Sequence, residues 1–167
     1  HFSGCLPDPA QAGGVLWPIQ SIVPNSKSMH NGFPIALSCS KSAHKAMTKF
    51  AKLIASELHE LSEIERQTAH LAAVFAANFT NHCFAIAQEL CQRAALPWNL
   101  FQPIARQIIE QAVEGTSKQR QTGPAIREDQ SAIDAHLGLL AQHPEFEPVY
   151  TAMTKSIQSL HQATETP

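Results

Sequence analysis

Residues 70–82 read His-Leu-Ala-Ala-Val-Phe-Ala-Ala-Asn-Phe-Thr-Asn-His. They lie within residues 62–95, a stretch of helical period that contains no Pro and no Gly. Ser62 and Glu65 give the Ser-x-x-Glu pattern of a capping box at the start of this stretch. Its end is set by Pro97, because the residue before a proline avoids helical angles. The sequence therefore predicts one long central helix around which the rest of the chain is organised.

The two sides of this predicted helix differ in character. Small side chains that would let another backbone approach closely share one side: Ala69, Ala72, Ala73, Ala76, Cys83, Ala87 and Leu90. The other side carries two imidazoles and two amides: His70, Asn78, Asn81 and His82. A helix that is apolar almost all round is normally buried, and buried polar groups need partners. We interpret these four residues as candidate catalytic residues on a buried helix; the alternative is that they bond neighbouring backbone or face water.

Composition and charge exclude several classes of protein. The chain has 167 residues with a net charge of −2, so no basic surface favours nucleic acid. No apolar run reaches the roughly 18–20 residues that a membrane span needs. The 4 cysteines include no Cys-x-x-Cys pair, which favours a reduced, cytoplasmic protein over a disulfide scaffold. Because the chain begins at His1 without Met or a signal peptide, we expect it to be a piece of something longer.

Residues 1–60 show a sequence pattern typical of α/β structure, with short apolar runs separated by turn residues. Strands are predicted at residues 15–23, 33–38 and 58–61, and a helix capped by Ser42 is predicted between the last two. These strands are too few for a free-standing sheet with both faces covered. We therefore read this part as the tail of an α/β domain.

Residues 61–167 predict helices only. After the central helix, Asn99 and Asp129 are candidate N-caps, and Gly115 is placed to end the helix between them. The last helix carries an apolar stripe that is typical of a core or a dimer seam: Phe146, Val149, Tyr150, Met153, Ile157 and Leu160. The apolar surface exceeds what one small domain easily covers, so we expect a homodimer built mainly by this part.

Familiar catalytic motifs do not occur. The sequence has no G-x-G-x-x-G, no P-loop and no G-x-S-x-G, and its 9 histidines include no H-x-x-x-H or H-E-x-x-H spacing, so no metal site is predicted. A rigid Thr-Gly-Pro turn at residues 122–124 precedes Arg127, close to a predicted helix start. An arginine there is suited to hold a carboxylate or phosphate, with Thr122 beside it, although loop cations are most often only solvated.

Four segments resemble one family. Residues 70–82, together with residues 122–129 (Thr-Gly-Pro-Ala-Ile-Arg-Glu-Asp), resemble the helical domain of unknown function 2520. That domain follows a Rossmann-like domain in bacterial proteins similar to pyrroline-5-carboxylate reductase. Residues 1–4 (His-Phe-Ser-Gly) resemble the end of a Rossmann strand, and residues 18–20 (Pro-Ile-Gln) resemble a His-Pro-x-Gln segment in which Trp17 replaces His. The resemblance extends over essentially the whole chain.

The resemblance implies a mostly α fold in two parts. Residues 1–60 would be a short α/β remnant of a Rossmann-like domain. Residues 61–167 would be an all-helical domain resembling the 6-phosphogluconate dehydrogenase C-terminal-like fold, which serves the substrate side and dimerisation. The resemblance further implies NADP or NAD as cofactor, although the glycine-rich phosphate loop would lie upstream of His1.

Site residues follow from the same resemblance. Candidate cofactor contacts are Ser3, Gly4, Pro18 and Gln20. The polar helix edge would face the nicotinamide, its imidazoles managing a proton and its amides orienting a small-molecule substrate. Two functions stay open. The chain is either the C-terminal portion of an NAD(P)-dependent oxidoreductase acting on a small carbonyl or imine substrate, or a non-catalytic dimerisation or ligand-binding module that retains the fold.

Overall fold

A computed structural model of the protein describes residues 4–6, 13–21 and 32–162. Within these ranges all strands precede residue 61 and only helices follow. This order confirms the predicted fold class, a short α/β part followed by a helical part. The chain divides into two compact units at Ala85 and Ile86, inside the long helix. The assignment of residues 1–60 and 61–167 as domains stays a prediction.

The first unit contains a three-stranded sheet. Its strands are β1 (Gly14–Pro18), β2 (Phe33–Cys39) and β3 (Ala55–Glu60), in the spatial order β1-β2-β3. β1 runs antiparallel to β2, and β2 runs parallel to β3. A parallel pair needs a crossover connection, and helix α1 (His44–Ala51) lies in it. The first strand is shorter than predicted, and residues 22–23 of that prediction lie outside the described residues.

Both faces of this sheet are covered by a helix. On one face Val15, Trp17 and Ala36 pack against Ala69 and Ala73 of the long helix. On the other face Leu16, Ile35 and Ala51 pack together with Met47 of α1. Successive side chains of a strand point to opposite faces, so β1 and β2 each contribute to both clusters. β3 contributes no buried residue to either cluster, and most of its residues are exposed. The expectation that these strands are too few for a free-standing sheet therefore stays a prediction.

Helix α1 begins without the predicted cap. Its N-cap residue is Ala43, which makes no side-chain capping bond. The Ser40 hydroxyl accepts from the Ala43 amide at 3.3 Å and lies 3.0 Å from the Ser42 hydroxyl. The prediction of Ser42 as the cap is therefore wrong, because Ala43 is the N-cap residue and Ser40, three residues before it, supplies the hydroxyl that reaches its amide.

The long helix is present and begins where predicted. It consists of α2 (Glu63–Ala73), a π-helical segment (Val74–Phe79) and α3 (Thr80–Arg93). The predicted capping box is confirmed: Ser62 Oγ accepts from the Glu65 amide at 3.3 Å, and the Glu65 carboxylate accepts from the Ser62 amide at 2.8 Å.

The π-helical segment was not predicted, and it changes which side chains are buried. A π turn holds one extra residue, so later residues are rotated by about 100° relative to a uniform α-helix. Ala69 and Ala73 face the sheet as expected, whereas Ala72, Ala76 and Cys83 are exposed. The interpretation of one continuous buried small-residue face is therefore wrong: Ala72 is exposed already before the π-helical segment, and Ala76 and Cys83 are exposed within and after it.

The second unit is helical. After a 3-10 turn (Trp98–Leu100) come α4 (Gln102–Val113), α5 (Gln130–Leu140) and α6 (Glu147–Gln162). Asp129 caps α5, its carboxylate accepting from the Ala132 amide at 3.1 Å, as predicted. Asn99 lies inside the 3-10 turn, and the N-cap residue of α4 is Phe101, so that predicted cap is wrong. No helix among the described residues is long and apolar enough to cross a membrane.

Candidate functional site

A cleft of about 300 Å³ opens at one edge of the sheet. The parallel strands β2 and β3 both end there, and antiparallel β1 begins there. Its lining comes from all these elements and from the start of α2: Val15, Ser38, Cys39, Ser40, Leu61, Ser62, Glu63 and Arg66. Open α/β sheets bind ligands at the carboxyl ends of parallel strands, and the volume lies at the lower end of the range for small-molecule sites.

Arg66 is the buried charged residue of this cleft. It is 1% exposed, and its guanidinium donates to the carbonyls of Gly4 and, at 3.0 Å, of Leu6. A buried cation is expensive unless acceptors surround it. These two bonds therefore connect the second turn of α2 with residues 4–6, which lie about 60 positions earlier in the sequence.

Gly4 is held against His70, one turn further along α2. A methyl group at Gly4 would overlap Cδ2 of His70 and would lie 2.8 Å from Cε2 of Trp17, so only glycine fits this position. The His70 and Trp17 rings are themselves in contact, with centroids 5.3 Å apart and planes inclined by 52°. Gly4 and Trp17 are buried and His70 is half-buried. Two residues that the sequence proposed for different roles, Gly4 and His70, are thus brought into direct contact.

Carboxylates near the cleft take part in two pKa shifts. The charged residues that line the cleft itself are Glu63 and Arg66. Hydrogen bonds from Ser62 hold the pKa of Glu65 below its ordinary value. Burial, with a smaller contribution from the charge of Glu60, raises the pKa of the Cys39 thiol, which disfavours a thiolate nucleophile. The Glu60 carboxylate also lies 2.9 Å from Nε2 of His44.

The other predicted cofactor contacts are less closely grouped. Pro18 is half-buried at the end of β1, directly after Trp17. Gln20 is exposed, and its side-chain amide reaches only the neighbouring Ser21 carbonyl at 3.4 Å. Ser3 lies outside the described residues. The structure thus brings Gly4 to His70 but leaves Gln20 on the surface.

The remaining helix residues of the predicted site are exposed. Asn78 lies in the π-helical segment, and Asn81 and His82 lie in the first turn of α3. At about 1.5 Å of rise per residue, His82 is roughly 18 Å from His70 along the helix axis. One small substrate in one protomer therefore cannot touch both imidazoles. The predicted edge divides into a half-buried group at His70 and an exposed group at Asn78, Asn81 and His82.

The π-helical segment gives the exposed group a distinctive setting. Thr80 Oγ1 donates to the Phe75 carbonyl at 2.9 Å, five residues earlier, across the wide turn. The rings of Phe75 and Phe79 meet edge to face with centroids 5.0 Å apart, and both side chains are exposed. Such segments inside α-helices occur frequently at functional sites, and Asn78 lies between these two rings in sequence.

Thr122 and Arg127, the predicted substrate clamp, lie in the second unit and are both exposed. The motif around them serves local structure. Gly123 adopts φ +107°, which favours glycine, and Asp129 caps α5. Hydrogen bonds from the Ala132 amide and Ser131 lower the pKa of Asp129, with a smaller contribution from the Arg127 charge.

Another cation of the second unit serves structure. Arg93 bonds Glu89 at 2.8 Å and Glu145 at 2.7 Å, and lies over the Phe146 ring. These carboxylates raise the pKa of Arg93. This network compensates the charge of Arg93 within the unit.

Sequence reasoning missed Arg66, although a signal was present. Residues 66, 69 and 73 follow helical spacing, so an arginine shares the face on which Ala69 and Ala73 pack against the sheet. A cation at a core position of an amphipathic helix is uncommon and requires buried acceptors. The cleft residues Ser38 and Ser40 gave no such signal. Among the described residues no group of three His, Cys, Asp or Glu side chains could hold a metal ion.

These elements define a class: an α/β unit with a cleft at the carboxyl edge of its sheet, followed by a helical part. The chain belongs to the family described as Domain of unknown function (DUF2520), which matches residues 33–157. No curated protein matches the sequence.

Two solved structures share the fold. One is the "putative NADP oxidoreductase" of Bacteroides fragilis, at 30% identity and a TM-score of 0.84, covering 95% of this chain and 64% of its own. The other is a protein of Thermotoga maritima, at 17% identity and a TM-score of 0.70, covering 99% of this chain and 69% of its own. The present chain thus spans 64% of the length of the Bacteroides fragilis protein.

Proposed function

We propose that this chain is the substrate-side portion of an NADP- or NAD-dependent oxidoreductase that acts on a small carbonyl or imine compound. The contact between Gly4 and His70 carries the proposal. It joins a predicted cofactor-contacting glycine to a half-buried imidazole, and Arg66, which lines the carboxyl-edge cleft, bonds the carbonyl of that glycine. The similarity to the Bacteroides fragilis protein supports the choice of a nicotinamide cofactor.

The described residues fit only part of such a cofactor. A phosphate needs cations or unsatisfied amides, but the N-terminus of α2 is already capped by Ser62 and Glu65 and carries Glu63 beside the cleft. Arg66, the cation of the cleft, already donates to the Gly4 and Leu6 carbonyls, so the cleft does not suit the phosphates. The cluster of Gly4, Trp17 and His70, which is mostly apolar and carries one imidazole, suits an uncharged aromatic ring or a small planar substrate.

The chemistry divides between cofactor and protein. When bound, the nicotinamide supplies or accepts the hydride. His70 holds or moves the accompanying proton at a ring nitrogen, because imidazole exchanges protons near neutral pH. Gly4 and Trp17 restrict the orientation of that ring by contact. Substrate orientation by Asn78, Asn81 and His82 is a separate prediction, because His82 lies roughly 18 Å from His70 along the helix axis. The predicted clamp of Arg127 with Thr122 belongs to the second unit and likewise stays a prediction.

We also propose that two copies of the chain associate. Large apolar side chains on α4 are half exposed or more: Ile104, Ile108, Ile109 and Val113. Contiguous exposed apolar surface of this kind is typical of protein interfaces. This observation also supports the second candidate function, a non-catalytic dimerisation or ligand-binding module, which requires the interface but no turnover.

The test uses the full-length protein with NADPH and NADH. We expect one of them to quench intrinsic fluorescence on binding, and a panel of small keto and imino acids to reveal turnover. His70→Gln should lower kcat by about 100-fold, the lower end of a general acid–base contribution, while nucleotide affinity stays within about twofold. His59→Gln, at an exposed histidine of β3, is the matched control. Nucleotide binding without turnover of any compound would favour the ligand-binding module. If neither NADPH nor NADH binds, the proposed nicotinamide-dependent function is refuted.

A further inference from the structure

Gly4 contacts two successive turns of α2. Arg66 donates to its carbonyl, while His70, four residues later on the same helical face, packs against its α-carbon. The second bond of Arg66, to the Leu6 carbonyl at 3.0 Å, fixes the backbone on the far side of Cys5. Residues 4–6 are thus bonded to α2 by Arg66, and Gly4 packs against the His70 ring.

We infer that Arg66 is a positioning residue, which sets the orientation of the His70 imidazole by fixing Gly4 against it. This inference rests on the proposed function, in which His70 holds the proton and Gly4 contacts the cofactor. Arg66 itself reaches the reacting atoms only through those two residues. The substrate-side cleft and the proton-holding group are thereby tied to one buried guanidinium.

The chemistry of guanidinium explains the choice of arginine. Two carbonyls that flank one residue are best met by a planar fork with donors on both terminal nitrogens, and a lysine ammonium is a single point without that geometry. The site is 1% exposed, so water does not replace a lost donor readily. When Arg66 is replaced by an apolar residue, the carbonyls of Gly4 and Leu6 lose these partners and the segment moves away from His70.

The imidazole then loses its fixed contacts. Trp17 also contacts the His70 ring, with centroids 5.3 Å apart, so movement of Gly4 removes one of the contacts that restrict this ring. A ring that samples several orientations presents its nitrogen to the substrate for a smaller part of the time. The expected signature is a change in the NMR signal of His70 together with a decrease in kcat. The relative decrease in kcat should exceed the relative change in substrate KM.

The experiment compares Arg66→Met and Arg66→Lys with the wild-type full-length protein, and uses Arg106→Met on the exposed surface of α4 as the control. Three quantities are measured: the ¹³C-labelled His70 ring resonance and its pH titration without ligand, NADPH affinity by fluorescence, and kcat against KM where a substrate has been found. We expect Arg66→Met to displace and broaden the His70 resonance. It should also weaken NADPH binding by about tenfold, which corresponds to about 1.4 kcal/mol. Arg66→Lys should be intermediate, and Arg106→Met unchanged.

The outcomes separate this inference from the proposed function. If Arg66→Met lowers thermal stability but leaves the His70 resonance, its titration and NADPH affinity as in the wild type, Arg66 is only structural and the inference is overturned. If the wild type does not bind NADPH, the proposed function fails, while the resonance of His70 still decides whether Arg66 positions it. If Arg66→Met does not fold, Arg66→Lys gives the same decision, since a wild-type His70 signal there refutes the inference.

Discussion

Thr80 and Phe75 are joined by a hydrogen bond of 2.9 Å from the threonine hydroxyl to the phenylalanine carbonyl, across the π-helical turn that contains Asn78. Thr68 makes the corresponding bond of 2.9 Å to the Ile64 carbonyl, but over the four-residue spacing of an ordinary α-helix. Two threonine hydroxyls of one helix thus donate to carbonyls at two different spacings, four residues earlier for Thr68 and five for Thr80. This pair offers a direct test of what holds the π turn.

Thr80→Val should loosen the π-helical segment, because it removes the hydroxyl and keeps the β-branched shape. We expect a loss of about 0.5 kcal/mol in the free energy of unfolding, at the low end for a hydrogen bond because the site is exposed. Amide hydrogen exchange over residues 74–80 should accelerate, whereas Thr68→Val should leave that exchange unchanged. Equal exchange in the two variants would mean that the backbone alone determines the π turn.

Gly4→Ala should destabilise the first unit. The added methyl group would overlap His70 and would lie 2.8 Å from Trp17, so the cost should be about 1–3 kcal/mol, as for other overpacked sites. Gly138→Ala is the matched control, since nothing lies within 4 Å of its side-chain position in α5. There alanine should stabilise by about 0.5–1 kcal/mol. Urea unfolding measures both, and an unaffected Gly4→Ala variant would refute the close packing of Gly4.

The capping box predicts a pH dependence. The pKa of Glu65 is lowered in the folded state, mainly by the Ser62 hydroxyl, so this stabilisation is fully present above the ordinary value of 4.5 and is lost as pH falls through the folded value. The stability difference between wild type and Ser62→Ala should therefore shrink when urea unfolding is repeated below about pH 4. Ser159→Ala, on the exposed face of α6, should show no such trend. A constant Ser62→Ala difference would contradict the assigned cause.

Local signals in the sequence predicted much of the fold. The Ser62–Glu65 pair and the Asp129 cap act within a few residues, so their chemistry determines the structure almost alone. Ser42 was misassigned because the helix begins one residue later than predicted, with Ala43 at the N-cap, and the nearby Ser40 hydroxyl accepts from the Ala43 amide. The π turn escaped prediction because a wheel assumes uniform rotation.

Tertiary contacts account for what the sequence did not predict at the site. The position of Arg66 on the face of Ala69 and Ala73 signals a buried cation, but its acceptors in residues 4–6, about 60 positions away, cannot be found from local spacing. The same holds for the contact of Gly4 with His70. Helix burial also depends on what packs against the helix, which its own sequence does not specify, so the sequence left open whether Asn78 and His82 are buried or face water.

Association through α4 can be tested by a single substitution that introduces a charge into its exposed apolar stripe. Ile108→Glu places a carboxylate on the exposed apolar stripe and should convert a dimer to a monomer in size-exclusion chromatography with light scattering. Gln107→Glu adds the same charge at the neighbouring exposed position and should leave the mass unchanged. A wild-type monomer at high micromolar concentration would refute the proposed dimer.

The exposed polar group is tested by Asn78→Ala and His82→Ala in the full-length protein. Both residues follow the wide turn or lie within it, and neither is buried, so truncation should cost less than about 0.5 kcal/mol of stability. If these side chains orient a small carbonyl or imine substrate, each variant should raise KM or lower kcat by about tenfold, the effect of one lost oriented hydrogen bond.

The control for this pair is Gln88→Ala, at an exposed polar position of α3, which should retain wild-type kinetics. Ligand-induced stabilisation against small keto and imino acids, with NADPH and with NADH, gives a second measurement that does not require turnover. Wild-type binding and turnover in both variants would exclude this edge from the site and leave His70 as the remaining histidine candidate on the long helix. Loss of folding in either variant would instead assign that side chain to structure, in conflict with its exposure.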